Sequence, residues 1–189
     1  MQTKTIIGGV LAVAIAAGAW YMLSGVSPVT TVPASYKDGT YIIEGQPVTL
    51  VDGRAEVESA PGSASKTITQ YFGNEATGDL NGDGVADTVF LVTQTGGGSG
   101  TFYYVVAAIK TSEGYIGTSA ASIGDRIAPQ TTEIRDGQLI VNYATRRSGE
   151  SFTTAPSEGK SLYLKLDPVT FEFGEVVQNF EGESAVIPR

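Results

Sequence analysis

Residues 88–110 read TVFLVTQTGGGSGTFYYVVAAIK, two apolar runs separated by a glycine-rich segment, and this stretch decides the fold class. In the second run both alternating sets of positions are apolar: Tyr103, Val105 and Ala107 on one side, Tyr104, Val106 and Ala108 on the other. A strand with two apolar faces is covered on both of them. We therefore expect a central antiparallel hairpin with residues 96–100 as its loop. A phosphate-binding loop would need a helix after the glycines, and TFYYVV is a strand pattern.

Outward from this hairpin, the chain from Tyr36 onward alternates short apolar stretches with turn residues, a pattern typical of β-sandwiches and β-barrels. The sequence predicts an all-β, antiparallel sandwich or barrel. The predicted strands are Thr40–Ile43, Val48–Val51, Arg54–Val57, Thr67–Tyr71, Thr88–Thr95, Thr101–Lys110, Tyr115–Ser119, Thr131–Arg135, Gln138–Ala144, Ser161–Leu166 and Phe171–Val176.

Two dipeptides predict tight hairpin turns. Asp52-Gly53 separates VTLV from RAEV, and Asp136-Gly137 separates TTEI from QLIV. Both pairs tolerate the positive φ angles of a two-residue type I′ turn. We expect the strands on either side of each pair to be antiparallel neighbours.

Composition excludes several chemistries. The chain has no Cys and no His, which rules out disulfides, thiolate or imidazole metal ligands, Cys nucleophiles and a Ser-His-Asp triad. Its formal charge is −8, and without Lys4, the only charged side chain before Lys37, the remainder carries −9. This acidity argues against nucleic-acid binding and favours cations as partners.

The N-terminal residues predict export. Residues 6–23, IIGGVLAVAIAAGAWYML, are uncharged and apolar, and as a helix they would span ~27 Å, close to the ~30 Å hydrocarbon core. Residues 1–25 are therefore interpreted as a single-pass membrane anchor or a signal helix cleaved near Ala19, with a buried core helix as a third interpretation. Residues 26–35 form a linker, and residues 36–189 a β domain that is periplasmic, extracellular or secreted.

An acidic loop supplies the one metal-ligand pattern. In GDLNGDGVAD, residues 78–87, oxygen donors recur at alternate positions: the side chains of Asp79, Asn81, Asp83 and Asp87, and the main-chain carbonyl of Val85. This spacing lets a tight loop surround a hard cation. We expect Ca²⁺ to bind with a dissociation constant of ~10⁻⁴–10⁻³ M. A solvated Asx-rich turn without metal is the alternative.

The loop resembles that of FG-GAP repeats, in which D-x-N-x-D-G-x-x-D joins two strands and binds Ca²⁺. It is not an EF-hand, because position twelve is Phe90 and a strand follows. The motif occurs once. Residues 71–109, with IGDRIAPQTTEI and VNYATRRSGESFTTAPSEGKSLYLKLD, also resemble a family of small, mostly uncharacterised exported proteins from uncultivated bacteria with reduced genomes. This second resemblance implies a bacterial envelope setting.

Other residues leave alternatives open. Asp125-Arg126 and Arg146-Arg147 either bind an anionic group or form a salt-bridged structural loop. Eight tyrosines in or near predicted strands either form a carbohydrate-stacking strip or fill half-buried positions. The resulting hypothesis is a noncatalytic binding or structural domain of the bacterial envelope, with a protein or glycan ligand and no catalytic residues. The alternative is an exported hydrolase that cleaves envelope glycans with carboxylates.

Overall fold

Twelve strands and one 3₁₀ helix (Tyr36–Asp38) form the part of the chain that the computed structural model describes, residues 32–60 and 62–177. The strands are β1 (Thr40–Ile43), β2 (Gln46–Thr49), β3 (Arg54–Glu58), β4 (Lys66–Gly78), β5 (Asp87–Thr95), β6 (Phe102–Lys110), β7 (Tyr115–Gly117), β8 (Ala121–Asp125), β9 (Ala128–Arg135), β10 (Gln138–Thr145), β11 (Glu158–Leu166) and β12 (Phe173–Glu175). The all-β prediction is confirmed.

The predicted N-terminal helix and the first residues of the linker lie outside the described residues. Within the described part, no helix is long and apolar enough to span a membrane.

A six-stranded sheet lies at the centre. Its order is β3-β4-β5-β6-β7, and β8 pairs with the first half of β6. The predicted hairpin is confirmed as the β5–β6 pair, in register from Thr88 opposite Ala108 to Gln94 opposite Phe102, with the glycine-rich segment as its loop. Strands β9 to β12 form a second antiparallel sheet, and β1 pairs with β2 as a separate hairpin.

Both faces of the central sheet are covered, as the sequence predicts. Val105 and Ala107 pack in one core with Leu139 and Val141 of β10, whereas Val106 packs in the other core with residues of β1 and β2. Because β5 and β6 supply side chains to both cores, they hold the four-stranded sheet on one face and the β1–β2 hairpin on the other. The molecule is a β-sandwich with a hairpin layer added to its outer face.

The two Asp-Gly turns have different outcomes. Asp136-Gly137 has φ angles of 52° and 68° and joins β9 to β10 in the predicted hairpin. Asp52-Gly53 also turns with positive φ, but the strands around it meet only at a bridge between Val51 and Arg54. The predicted antiparallel pairing of 48–51 with 54–57 is therefore wrong beyond that bridge.

The partners of β2 and β3 explain this result. β2 pairs with β1 through a turn at Glu44-Gly45, with φ angles of 51° and 74°, whereas β3 pairs with β4 in the central sheet. The chain therefore leaves the hairpin layer and enters the central sheet at the Asp52-Gly53 turn. A turn dipeptide determines a reversal of the chain, and tertiary packing determines how far pairing continues.

Two other strand predictions need correction. β8 was not predicted, because ASIGD has no clear alternation, and it is positioned by pairing with β6. β4 extends to Gly78, well beyond the predicted end at Tyr71, and its pairing with β5 shifts register around Gly73. Gly73 and Asn74 have φ angles of 104° and 56°, which allow the strand to bulge and then resume pairing.

Candidate metal centre

The acidic loop, residues 78–87, runs from the last residue of β4 to the first residue of β5 at one end of the sandwich. The two strands pair up to Gly78 opposite Asp87, and Leu80 is inserted into the core between the sheets. At Gly78 a β-carbon would lie 2.9 Å from Ile134 Cγ2, so β4 reaches the loop in close contact with β9. The loop is therefore held by packing at both of its ends.

Asp79 organises the first half of the loop. Its Oδ1 accepts a hydrogen bond from Gly82 N at 2.7 Å and its Oδ2 one from Gly84 N at 2.9 Å. Both glycines have φ of 82°, a conformation that strains other residues. The hydrogen bonds from Gly84 and then Gly82 lower the pKa of Asp79, so it is ionised at neutral pH.

Asn81 and Asp83 follow the same pattern. Asn81 Oδ1 accepts from Asp83 N at 3.1 Å, and Asp83 Oδ1 accepts from Val85 N at 2.7 Å. Asn81 Nδ2 donates to Asp83 Oδ2 at 3.0 Å. The Asn81 and Asp83 side chains are therefore bonded to each other and to the backbone of the loop.

Asp87 differs from the other acids because it is fully buried, with 0% of its surface exposed. Its Oδ2 accepts from Leu80 N at 3.0 Å and its Oδ1 from Lys110 N at 2.9 Å, which ties the loop to the end of β6. Burial raises the pKa of Asp87, and the charges of Asp83 and Asp79 also raise it. This carboxylate is held by backbone donors in an unfavourable electrostatic environment.

The chemistry of the donors fits a hard divalent cation. All are oxygen atoms, and a carboxylate oxygen that accepts one N–H keeps a further lone pair. Within residues 32–60 and 62–177, however, no three acidic side chains converge closely enough to hold a metal ion. Of the salt bridges between described residues, none includes Asp79, Asp83 or Asp87.

A shallow cavity of about 370 Å³ lies beside the loop. Its lining includes Asp79 and Asn81 together with Asp136, Lys165 and Pro168. In the sequence, Asp136 reads only as a turn residue, and no motif marks Lys165. Their approach to the loop depends on the packing of the two sheets, and nothing in the local sequence signals it.

Asp125, Arg126 and Arg146 belong to one cluster at the opposite end of the sandwich, whereas Arg147 is exposed and only its backbone N donates, to Glu150. Arg126 Nη2 lies 2.7 Å from Asp125 Oδ2, and the Arg126 guanidinium carbon lies 3.8 Å from the centroid of the Phe152 ring. Arg146 Nη1 donates to Arg126 O at 2.8 Å, and Arg146 Nε donates to Thr154 O. These contacts support the structural alternative, because the cluster joins two loops through its own hydrogen bonds.

The tyrosines do not line up in one exposed strip. Tyr41 and Tyr104 are buried, and the rings of Tyr36, Tyr41 and Tyr71 surround Phe90 at 5.4–5.5 Å between centroids. The hydroxyls of Tyr36 and Tyr71 both donate to Glu75 Oε1, at 2.7 and 2.6 Å. These contacts support the alternative in which the tyrosines fill buried and half-buried positions.

Comparisons with protein-family models, with curated proteins and with solved structures find no match to this chain.

Proposed function

We propose that this chain is a noncatalytic, exported β domain of the bacterial envelope, stabilised by Ca²⁺ in the acidic loop and held at the membrane by its N-terminal segment. It serves as a binding or structural component that contacts an envelope protein or a glycan. The predicted ligands are the side chains of Asp79, Asn81, Asp83 and Asp87 and the carbonyl of Val85.

The observation that carries this proposal is the electrostatic state of Asp87. It is a fully buried carboxylate with other carboxylates nearby, and no salt bridge in the described part of the chain includes it. Buried charges are usually paired or bound to a metal. A bound Ca²⁺ supplies a positive charge in direct contact with the loop carboxylates, none of which forms a salt bridge within the described residues.

Thermal unfolding with and without Ca²⁺ tests the proposal. At 10 mM CaCl₂, a dissociation constant of ~10⁻⁴–10⁻³ M stabilises the folded state by ~1.4–2.7 kcal/mol relative to EDTA. For a domain of this size that corresponds to a rise in the unfolding midpoint of roughly 3–10 °C. Isothermal titration should give a dissociation constant in the same range.

Asp83→Asn is the informative variant, because it removes one ligand charge from an exposed position. Asp52→Asn is the matched control, since it removes the same charge from a turn of the hairpin layer and Asn tolerates its φ of 51°. We expect Asp83→Asn to lose most of the calcium-dependent shift and Asp52→Asn to keep it. An unfolding midpoint that EDTA leaves unchanged in the unmutated protein contradicts the proposal.

One cavity keeps the hydrolase alternative testable. A groove of about 460 Å³ between the β1–β2 hairpin and strands β3 and β4 has Glu44 and Glu58 in its lining. Glu58 Oε2 accepts a hydrogen bond from Gly62 N at 2.9 Å, which is a structural use of this carboxylate. Release of soluble fragments from purified envelope glycan by the unmutated chain, lost in Glu44→Gln, would establish the hydrolase instead.

A further inference from the structure

The β1–β2 hairpin is hydrogen-bonded to the β7 side of the central sheet. Ile42 N donates to Thr118 O at 3.2 Å and Ala120 N donates to Ile42 O at 2.8 Å, so β1 pairs in parallel with residues 118–120, directly after β7. The path β3-β4-β5-β6-β7 therefore continues through β1 to β2 and curves back toward β3. The hydrophobic core around Phe90 lies inside this curve.

The curved sheet is open between β2 and β3. The chain bridges from Val51 to Arg54, and among the described residues β2 and β3 have no other pairing with each other. Beyond the bridge lies the groove of about 460 Å³, lined from both strands. We call the gap between Gln46–Thr49 and Arg54–Glu58 the seam. Each strand presents an unpaired edge to it.

The alternation of backbone hydrogen bonds identifies the groups of β2 that face the seam. Leu50 N donates at 3.0 Å to the residue before β1, whereas Val51 N donates at 2.9 Å to Arg54 O on the opposite side. The same side recurs at every second residue of a strand, so the N–H and C=O of Thr49 face the seam. Pro47 offers only its C=O.

On β3 the same alternation identifies two residues. Gly53 O accepts from Tyr71 N of β4 at 2.7 Å, whereas Arg54 N donates across the bridge at 3.1 Å. The N–H and C=O groups of Glu56 and Glu58 therefore point away from β4 and into the seam. Both edges supply main-chain donors and acceptors to an incoming strand, and β3 supplies more of them.

The side chains along the seam determine which strand fits. Val57 is an exposed apolar residue, with 53% of its surface accessible, and it lines the groove together with Val48. The charged residues of the lining are Glu44 and Glu58, and neither forms a salt bridge within the described part of the chain. The groove therefore favours apolar side chains at the valines and basic side chains at the glutamates.

We propose that the seam binds an extended segment of a partner protein, which adds a strand between β2 and β3 through backbone hydrogen bonds. Successive side chains of a strand point to opposite faces, so the segment alternates β-branched apolar residues with basic ones. The inference rests on the proposed function only in identifying the partner for its binding role. It does not involve the acidic loop.

The test is amide hydrogen exchange of the full chain in EDTA, with a synthetic peptide that alternates valine and lysine. A peptide of the same composition, with its valines and lysines in separate blocks, is the control because it carries the same charge without the alternation. We expect the alternating peptide at saturation to slow exchange at Thr49, Glu56 and Glu58 by at least ~10-fold. Exchange at Ala55 and Val57, whose amides face β4, should not change.

A substitution in β2 tests the edge itself. Thr49→Pro removes the N–H that β2 directs into the seam, and an edge strand accepts proline where that N–H is not used in pairing. Thr49→Ala is the matched control, because it loses the same side chain and keeps the N–H. We expect Thr49→Pro to bind a fluorescently labelled alternating peptide ~10-fold more weakly than Thr49→Ala does. Equal affinities would overturn the role of the β2 edge.

Exchange in the unmutated protein decides the proposal without any variant having to fold. Equal binding of both peptides, or binding that leaves Glu56 and Glu58 unprotected, overturns it, because attraction between charges then explains the binding. Protection of these amides before peptide is added also overturns it. Such protection indicates a second copy in the seam where it rises with protein concentration, and otherwise a segment of the same chain. Either failure leaves calcium-dependent stabilisation of the acidic loop unaffected.

Discussion

The two ends of the sandwich each place an aspartate at the end of a strand of the central sheet, and the surroundings shift its pKa in opposite directions. Asp87 begins β5 and is bonded only to backbone N–H groups. Asp125 ends β8, accepts from Thr101 N at 2.9 Å, and is paired with the Arg126 guanidinium. Burial raises the pKa of Asp87, whereas the hydrogen bond from Arg126 lowers the pKa of Asp125.

The two sites differ in whether a positive charge neutralises the carboxylate, more than in the number of hydrogen bonds that it accepts. Both carboxylates accept two or more hydrogen bonds, yet only Asp125 has a cation within the described part of the chain. In the arginine cluster, Asp125, Arg126, Arg146 and Phe152, the carboxylate is paired with a guanidinium of the chain itself. The carboxylates of the acidic loop have no such partner among the described residues, which is why an external cation is proposed for them.

Asp87→Ala is expected to have the largest effect on stability among these variants. It removes the acceptor of two backbone donors, Leu80 N and Lys110 N, and each donor left without a partner costs ~1–3 kcal/mol. We expect a loss of ~2–5 kcal/mol in the free energy of unfolding by denaturant titration in EDTA. Asp87→Asn keeps the volume and one acceptor and should lose about half as much. A loss below ~1 kcal/mol for Asp87→Ala would show that the carboxylate does not hold the loop.

Substitution of Arg126 tests the other end with a smaller effect. Arg126 has φ of 49°, a conformation that costs free energy for any residue with a β-carbon, so Arg126→Ala loses the ion pair and the Phe152 contact and keeps that strain. Arg126→Gly loses the same contacts but relieves the strain, which offsets part of the loss. We expect a loss of ~1 kcal/mol for Gly and ~2 kcal/mol for Ala. Arg147→Ala, an exposed neighbour of Arg146, is the control and should be near neutral. Equal losses for Gly and Ala would contradict the strain argument.

The smallest effect is the pH dependence, and its sign differs between the two ends. Because the folded pKa of Asp125 is lowered, its stabilisation is present above the ordinary value of 3.8 and is lost as pH falls through the folded pKa. The folded pKa of Asp87 is raised, so stability in EDTA increases as pH falls from neutral through that raised pKa. The difference in the free energy of unfolding between the unmutated protein and Asp125→Asn should shrink as pH falls, because the unmutated protein loses its ion pair. For Asp87→Asn the same difference should grow, because only the unmutated protein gains stability when Asp87 is protonated.

Stability measured from pH 7 to pH 3 in the two variants checks this prediction. Parallel pH profiles would show that the two carboxylates share one electrostatic environment. The same profiles in Ca²⁺ distinguish the two ends further. A cation that favours the charged form of Asp87 should abolish the increase in stability at low pH that depends on Asp87, and should leave the effect of Asp125 unchanged.

Elements with a local cause can be predicted from the amino-acid sequence. Alternation in residues 101–110 predicted a strand covered on both faces, and the Asp136-Gly137 turn predicted a hairpin, because each depends on side-chain periodicity or on φ preference within a few residues. The spacing of the acidic loop was also visible, although its Ca²⁺ stays a prediction.

Features that depend on a partner distant in the chain could not be predicted and are set by the packing of the sheets. The unpredicted β8, the burial of Asp87 beside Lys110 N and the stacking of Arg126 on Phe152 all join residues far apart in the chain. Local preference is worth less than burial and pairing at such positions, so the same Asp-Gly dipeptide ends in a full hairpin at residue 136 and in a single bridge at residue 52.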